Sequence, residues 1–293
     1  MTKIFLSPPI QNRSYLHAAG CCTLKEKGKE AFQMDFHDKR NQNSYSGRNA
    51  DSRWLTTIAN HLSRKHIDIA ADIGCGGGIY TRALAMIGIP HVIGIDSSEQ
   101  MLADAKEACR DFKQIELKKG DCEDLPLASG SIDLLLARAL IHHLPSVQPF
   151  FQEAWRTLAD GGLFIIQNRT PVDCFLPGSA EHVRGYFFSA FPRLRKIEAK
   201  RRFSSAYVRQ ALHSNGFLLL HEETLWETRA IHPSKQELLV DLSKRKGRSI
   251  LHQLSDQELA KLVRVIETTL EQDGPIIEKD RWTLWIAEKQ AER

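Results

Sequence analysis

The chain has 293 residues, enough for one large domain or two small ones with a true core. Its 42% hydrophobic and 26% charged residues are ordinary for a globular protein. A net charge of +4, from 40 basic and 36 acidic side chains, is too small to argue by itself for a nucleic-acid partner.

Six cysteines (Cys21, Cys22, Cys75, Cys109, Cys122 and Cys174) form no CxxC pair and suit neither a zinc site nor a disulfide framework. Free thiols in a reducing cytosol are therefore expected, with no metal and a cytoplasmic location. The opening MTKIFLSPPI lacks the length and cleavage site of a signal peptide, and the longest apolar run, 134–141, is interrupted by Arg138, so no membrane span is expected.

Residues 1–50 are polar and mixed and read as an N-terminal arm. From Asp51 a helical period sets in, with Trp54, Leu55, Ile58, Ala59 and Leu62 on one face. Strands and helices then alternate. IDIAADIG is a strand, 77–86 a helix and HVIGID a strand; the next helix is capped by Ser98 and buries Met101, Leu102 and Ala105. IELKKGD and SIDLLLA are strands, a helix follows Ser146, and GGLFIIQN is a strand. This rhythm and the near-continuous apolar strands predict a parallel sheet covered by helices on both faces.

After Asn168 the rhythm loosens. Residues 171–202 carry aromatics and then basic side chains. SSAYVRQALHSNG is a helix ending at Gly216, and FLLLHEETLWE is a strand. A helical block over 232–278 includes a capping box, Ser255 with Glu258, and RWTLWIAEK closes the chain as a strand. The expected organisation is an arm (1–50), a core (51–170), a substrate-side insert (171–202), a core helix and strand (203–231), a helical lid (232–278) and a last core strand (279–293).

The stretch ADIGCGGGIY places Gly74, Gly76 and Gly78 between a strand and a helix. Glycine there permits positive φ and close approach of a ligand to the main chain, beside the positive end of the helix dipole. A tight turn without a ligand is the alternative. The dinucleotide pattern GxGxxG would need glycine where Ile79 stands, which argues against a nicotinamide oxidoreductase. Asp96 ends the next strand, where a carboxylate can accept from both hydroxyls of a free ribose. A nucleoside without a pyrophosphate fits this pattern.

Four ordered stretches, AADIGCGGGIYTRALA, IGIDSSEQMLADAK, GDCEDLPLASGSIDLLLARALIHHL and FFQEAWRTLADGGLFII, resemble the class I S-adenosylmethionine-dependent methyltransferases. The likeness is to the branch that contains the ubiquinone/menaquinone C-methyltransferases (methyltransferase type 11), and it covers roughly residues 50–225. The resemblance implies an α/β fold, a Rossmann-like, seven-stranded, mostly parallel sheet with a helical lid or insert. It implies that Gly74, Gly76 and Gly78 lie against the methionine part of S-adenosyl-L-methionine and that Asp72 holds its amino group. By the same resemblance Asp96 binds the ribose, Ser97 and Met101 flank the adenine, and Asp121 and the Cys122 N–H meet its edge. The segment around Arg138 would contact the methionine end, and Tyr45, in a Tyr-x-x-Arg approach with Arg48, would close over the cofactor. The residues themselves leave other readings open: Met101 as core, Asp121 as a turn cap, Cys75 and Cys122 as small buried side chains, Tyr45 as an exposed loop tyrosine.

Methyl transfer requires a nucleophile in line with the breaking bond and exclusion of water. After the fourth strand the chain reads ARALIHHL rather than the (D/N)PP(Y/F) of enzymes that methylate base amino groups, which favours a small-molecule acceptor and disfavours nucleic acid. His143 is the candidate base, with a buried structural histidine as its alternative. Tyr186, Phe187 and Phe188 either line an apolar pocket or form the seam that fixes the insert, and the seam is favoured. The six basic residues of RLRKIEAKRRF (193–203) are read as a solvated helix face; a docking patch for RNA or an anionic substrate is the alternative. An RNA methyltransferase and a non-catalytic cofactor-binding module thus stand behind the small-molecule enzyme.

Overall fold

The computed structural model describes residues 49–245, 247–272 and 274–291, so Tyr45, Arg48, Cys21 and Cys22 lie outside the described residues. The first half alternates helix and strand: α1 Ser52–Leu62, β1 Ile69–Ile73, α2 Ile79–Met86, β2 His91–Asp96, α3 Glu99–Ala108, β3 Ile115–Lys119, β4 Ile132–Arg138, α4 Gln148–Thr157 and β5 Leu158–Asn168. Helices then dominate: α5 Pro171–Cys174, α6 Arg184–Ala190, α7 Arg193–Lys200 and α8 Ser205–Ser214, before β6 Phe217–His232, α9 Lys235–Ser243, α10 Asp256–Thr269 and β7 Ile276–Lys289.

The seven strands lie in the order β3-β2-β1-β4-β5-β7-β6. β1 through β5 pair in parallel, and β7 runs antiparallel to both β5 and β6. Both sheet faces are buried, because alternate residues on each central strand are apolar. Ala71, Ile73, Leu135, Ala137, Phe164 and Ile166 face α4 and α8. Ala70, Leu134, Leu136, Leu163 and Ile165 face α1 and α2. On the first face Phe164 meets Phe150 and Phe151 edge to face, at centroid distances of 5.6 and 5.2 Å. The predicted caps form: the Ser98 hydroxyl accepts from the Met101 N–H, and Ser255 and Glu258 make the reciprocal bonds of a capping box.

A third core joins elements that the sequence reading kept apart. Phe187, Phe188 and Leu194 from α6 and α7 pack with Leu238, Leu242, Leu259, Leu262 and Ile266 from α9 and α10. Phe187 and Phe188 are buried in this core, while Tyr186 packs against its edge. The insert and the helical block are therefore one layer with one interior.

The last two strands run longer than expected. β6 continues to His232 and β7 begins at Ile276, so 228–232 pair with 276–279. Arg229, His232 and Glu278 hid this extension, because charged residues depress strand propensity. Here they meet: Arg229 and His232 contact the Glu278 carboxylate at 3.2 and 3.1 Å. The four described cysteines are free thiols. Among the described residues no helix is long and apolar enough to cross a membrane.

Candidate functional site

The strand order reverses at β1, whose neighbours β2 and β4 lead away in opposite directions. Connections leave to opposite faces at such a point and open a crevice above the carboxyl ends of the strands. The glycine loop, Asp96 and the segment after β4 all lie at this end.

Gly74, Gly76 and Gly78 have φ of +70°, +52° and +78°, which side-chain-bearing residues adopt only under strain. Their surroundings differ. An added Cβ at Gly74 would lie 2.9 Å from Leu140 Cδ1, and one at Gly78 would lie 2.8 Å from Cys109 Sγ and 3.1 Å from Ala105. A Cβ at Gly76 meets nothing within 4 Å among the described residues. Gly78 is thus held to glycine by packing as well as by φ, a Cβ at Gly74 would meet only the movable end of Leu140, and Gly76 faces open space among the described residues.

The loop is tied to the next strand. The Gly74 and Cys75 N–H groups both donate to the Ile95 carbonyl, at 2.8 and 3.0 Å. The Gly76 N–H donates to Asp96 Oδ2 at 2.9 Å, and the Ser98 N–H donates to Asp96 Oδ1 at 2.9 Å. Asp96 is half-buried and Ser97 beside it is exposed. Each carboxylate oxygen keeps a lone pair free for a further donor.

Asp72 is buried at 2% exposure and accepts from the Thr81 hydroxyl at 2.7 Å. Burial drives its pKa up, with Asp96 adding to the rise and Thr81 opposing it, to about 6. A buried acid with this bias gains from a cation placed beside it. Met101 is buried on α3. Asp121 is exposed and accepts from the Glu123 N–H at 2.9 Å, so it does cap a turn. Cys122 is half-buried; burial first, then Asp121 and Glu123, push its thiol up to about 12, which keeps it protonated.

Past β4 the side chains diverge. Arg138 turns toward β5 and β6: its Nη2 donates to Glu227 at 2.7 Å and its Nε to Gln167 at 3.0 Å. Its guanidinium sits between the Tyr80 and Trp282 rings, 3.9 and 4.3 Å from their centroids. Gln167 in turn accepts from Trp54 Nε1, and Tyr80 donates to Glu227. The next residue, Ala139, holds a positive φ of +53° with its N–H bonded to the Gln167 carbonyl, a strained conformation at the mouth of the crevice. A short 3-10 turn, Ile141–His143, follows. His142 Nδ1 lies 2.9 Å from Asn168 Oδ1. His143 is half-buried, and burial, with Arg202 and Arg201 beside it, lowers its pKa to about 4.

The network of Trp54, Tyr80, Gln167, Glu227 and Trp282 around Arg138 was not foreseen. Its members come from five elements, and the only sequence signal was an arginine ending an otherwise apolar strand. The basic run 193–203 is not the uniform solvated face expected. Glu198 within it is fully buried between Arg201 and Arg202, Arg193 bonds Glu258, and Arg195 lies over the Phe175 ring. Only Lys196 and Lys200 keep to the simple exposed pattern.

Residues 71–166 match a family model described as a methyltransferase domain. A demethylmenaquinone methyltransferase of Lactobacillus johnsonii is 31% identical over 150 residues, 49% of this chain and 60% of that protein. The chain covers 33% and 30% of two other curated relatives. A crystal structure from Bacillus halodurans described as a methyltransferase superposes with a TM-score of 0.56 at 18% identity, covering 81% of this chain and 99% of that one. A second, phosphoethanolamine N-methyltransferase 2 of Haemonchus contortus in complex with phosphomonomethylethanolamine and S-adenosylhomocysteine, gives 0.52 at 19% identity, with 88% and 61% coverage. These two structures share the fold. The match to a methyltransferase domain falls on residues 71–166, the segment that carries the glycine loop, Asp96 and Arg138.

The two kinds of glycine separate by substitution. Gly76→Ala should cost about 1–2 kcal/mol in urea unfolding, the strain of positive φ alone. Gly78→Ala should cost more, roughly 2–5 kcal/mol, because overpacking against Cys109 and Ala105 adds to that strain. Equal costs would contradict the packing. Asp72 sets a pH dependence. Its folded pKa is raised, so its contribution to stability is fully present below the unfolded value and is lost as pH rises through about 6. Asp72→Asn, which keeps an acceptor for Thr81, should therefore stabilise the protein relative to the parent, by about 1 kcal/mol more at pH 8 than at pH 5. Urea denaturation at the two pH values measures this.

Proposed function

We propose that the chain is an S-adenosylmethionine-dependent methyltransferase acting on a small-molecule acceptor. The observation that carries this reading is the bond from the Gly76 N–H to Asp96, at the one loop glycine that faces open space. It places a carboxylate, suited to a ribose diol, against a main-chain surface that a ligand can touch. The match of residues 71–166 to a methyltransferase domain and the SAH-bound H. contortus structure support the choice of ligand.

The site fits the cofactor on its own chemistry. Asp72 offers a carboxylate whose ionisation a cationic amino group would favour. Gly76 gives backbone access, Asp96 addresses the ribose, Ser97 and Met101 border the adenine, and Asp121 with the Cys122 N–H meets its edge. When bound, the cofactor supplies an electrophilic methyl on a sulfonium. The protein's part is to position the acceptor nucleophile in line and to exclude water. Arg138 orders the floor of that space through Glu227 and Gln167 rather than reaching into it. His143 serves as proton acceptor; held near 4, it is neutral at physiological pH and a weak base, which suits an acceptor whose proton is already acidic. Tyr45 is assigned to cover the cofactor.

The RNA reading loses its main support, because four of the six basic residues in 193–203 are engaged by Glu198, Glu258 or Phe175. The non-catalytic reading is separated by experiment. Incubation with deuteromethyl-labelled S-adenosylmethionine and a metabolite extract should give a mass-shifted small molecule. Asp96→Ala should weaken S-adenosylhomocysteine binding at least tenfold, about 1.4 kcal/mol, by calorimetry. Tight binding with no labelled product from any pool would favour the non-catalytic module, and an unchanged affinity in Asp96→Ala would remove the ribose assignment.

A further inference from the structure

Just past β5 four arginines, Arg184 and Arg202 buried and Arg169 and Arg201 half-buried, surround two buried carboxylates. Arg169 Nη1 and Arg184 Nε donate to opposite oxygens of Asp280, at 2.8 and 2.9 Å. Arg201 Nε and Arg202 Nε donate to opposite oxygens of Glu198, at 2.8 and 3.0 Å. Each carboxylate is shared by two guanidinium groups, so the two trios carry a surplus of positive charge. The surplus is local, because the trios feel one another: burial acts to raise the Glu198 pKa, but Arg202 and Arg201, helped by Arg184 and Arg169, hold it at about 2. Burial, then the charge of Arg184, lowers the pKa of Arg169 itself, the mark of a cation short of counter-charge.

Two donors in this cluster have no partner among the described residues: Arg202 Nη1 and Arg169 Nε. The Arg202 side chain is 2% exposed and that of Arg169 13%. A buried guanidinium N–H is seldom left unpaired, and charged donors are the costliest to leave so. The place is also informative. Arg169 directly follows β5, and both Arg169 and Arg202 act on His142, which follows β4 and bonds Asn168 at the end of β5. The cluster therefore borders the crevice on the side opposite the glycine loop.

A second charged cluster also holds a donor without a partner among the described residues, Arg248 Nε, but it lies farther out along the β6–β7 ladder, at Glu278, past the Thr283 that pairs with Asn168 at the end of β5. His232, Asp241 and Glu278 come close enough to hold a cation, but Arg248 already donates to both carboxylates there.

We propose that Arg169 and Arg202 form the subsite for an anionic group, a carboxylate or a phosphate, on the methyl acceptor. The forked donors of guanidinium match either oxyanion. The assignment to an acceptor rests on the methyltransferase reading; the anion site itself rests on the arginines. Three probes that share a phenyl ring test it on the full chain: benzoate, its planar neutral counterpart benzamide, and phenyl phosphate, titrated by ligand-observed NMR. At least one anion should bind tenfold or more tighter than benzamide, and the tighter of the two identifies the group. Arg169→Gln should weaken that anion at least tenfold and leave benzamide unchanged, while the exposed Arg195→Gln changes neither. Benzamide binding as tightly as both anions would overturn the proposal, as would an Arg169→Gln protein that still binds S-adenosylhomocysteine and holds the anion undiminished. Should Arg169→Gln not fold, Arg169→Lys, which keeps the charge and loses the fork, and the three-probe comparison on the parent chain decide. Anion selectivity in a parent protein that does not bind S-adenosylhomocysteine would keep the subsite and remove its assignment to a methyl acceptor.

Discussion

One hydrogen bond organises the glycine-loop side of this molecule, the donation from the Gly76 main chain to the Asp96 side chain. It joins the turn after β1 to the end of β2, which the parallel ladder alone brings near but does not align. With the Ser98 N–H on its other oxygen, the carboxylate is held from two sides before any ligand arrives. A preset acceptor loses little rotamer entropy on binding, which is how a small site achieves affinity. Gly74 and Gly78 serve that same alignment indirectly, by letting the loop pack against Leu140 and against α3.

Much of this was legible in the chain. The alternation of strand and helix, the Ser98 cap and the Ser255–Glu258 box depend on neighbours in sequence, and their residue types name them. The glycine spacing and Asp96 were legible for the same reason. Other features were not. The separate roles of the three glycines depend on Leu140 and Cys109, which are remote in sequence. The outer halves of β6 and β7 are written in Arg229, His232 and Glu278, of which the last two read as part of the helical block at 232–278; only the ladder brings them together. The basic run after α6 reads as surface by composition, yet Glu198 draws Arg201 and Arg202 inward. Pairing between residues remote in sequence leaves no periodic trace; the Glu198 pairs are only three and four residues apart, and what hid them was the burial of that face under other elements.

The two sides of the crevice contrast in charge. Toward the glycine loop lie Asp72 and Asp96, both acidic, and Asp72 is pushed toward neutrality by its burial. Toward β5 lie Arg169, Arg184 and Arg202, with arginine in excess of carboxylate. Buried ion pairs of this kind are weak contributors to stability, because desolvation offsets the attraction. Their arrangement is better understood as a field laid across the crevice, with its negative end where a cationic ligand would sit. Arg138, clamped between two aromatic rings and a carboxylate, separates the two ends.

The β6–β7 ribbon reaches from the parallel sheet into the helical layer, where Ile276 joins the third core. A continuous antiparallel ladder resists bending along its length, so the helices it carries are not free to swing as a flap on a slack tether. The ladder is broken in register twice, between Leu219 and His221 within the sheet and between Thr228 and Ala230 farther out, beside the Arg229–Glu278 contact. Elastic compliance concentrates where ladder bonds are missing. Breathing of the helical layer along this ribbon is thus geared through the outer break, which a guanidinium and a carboxylate border instead of a loop.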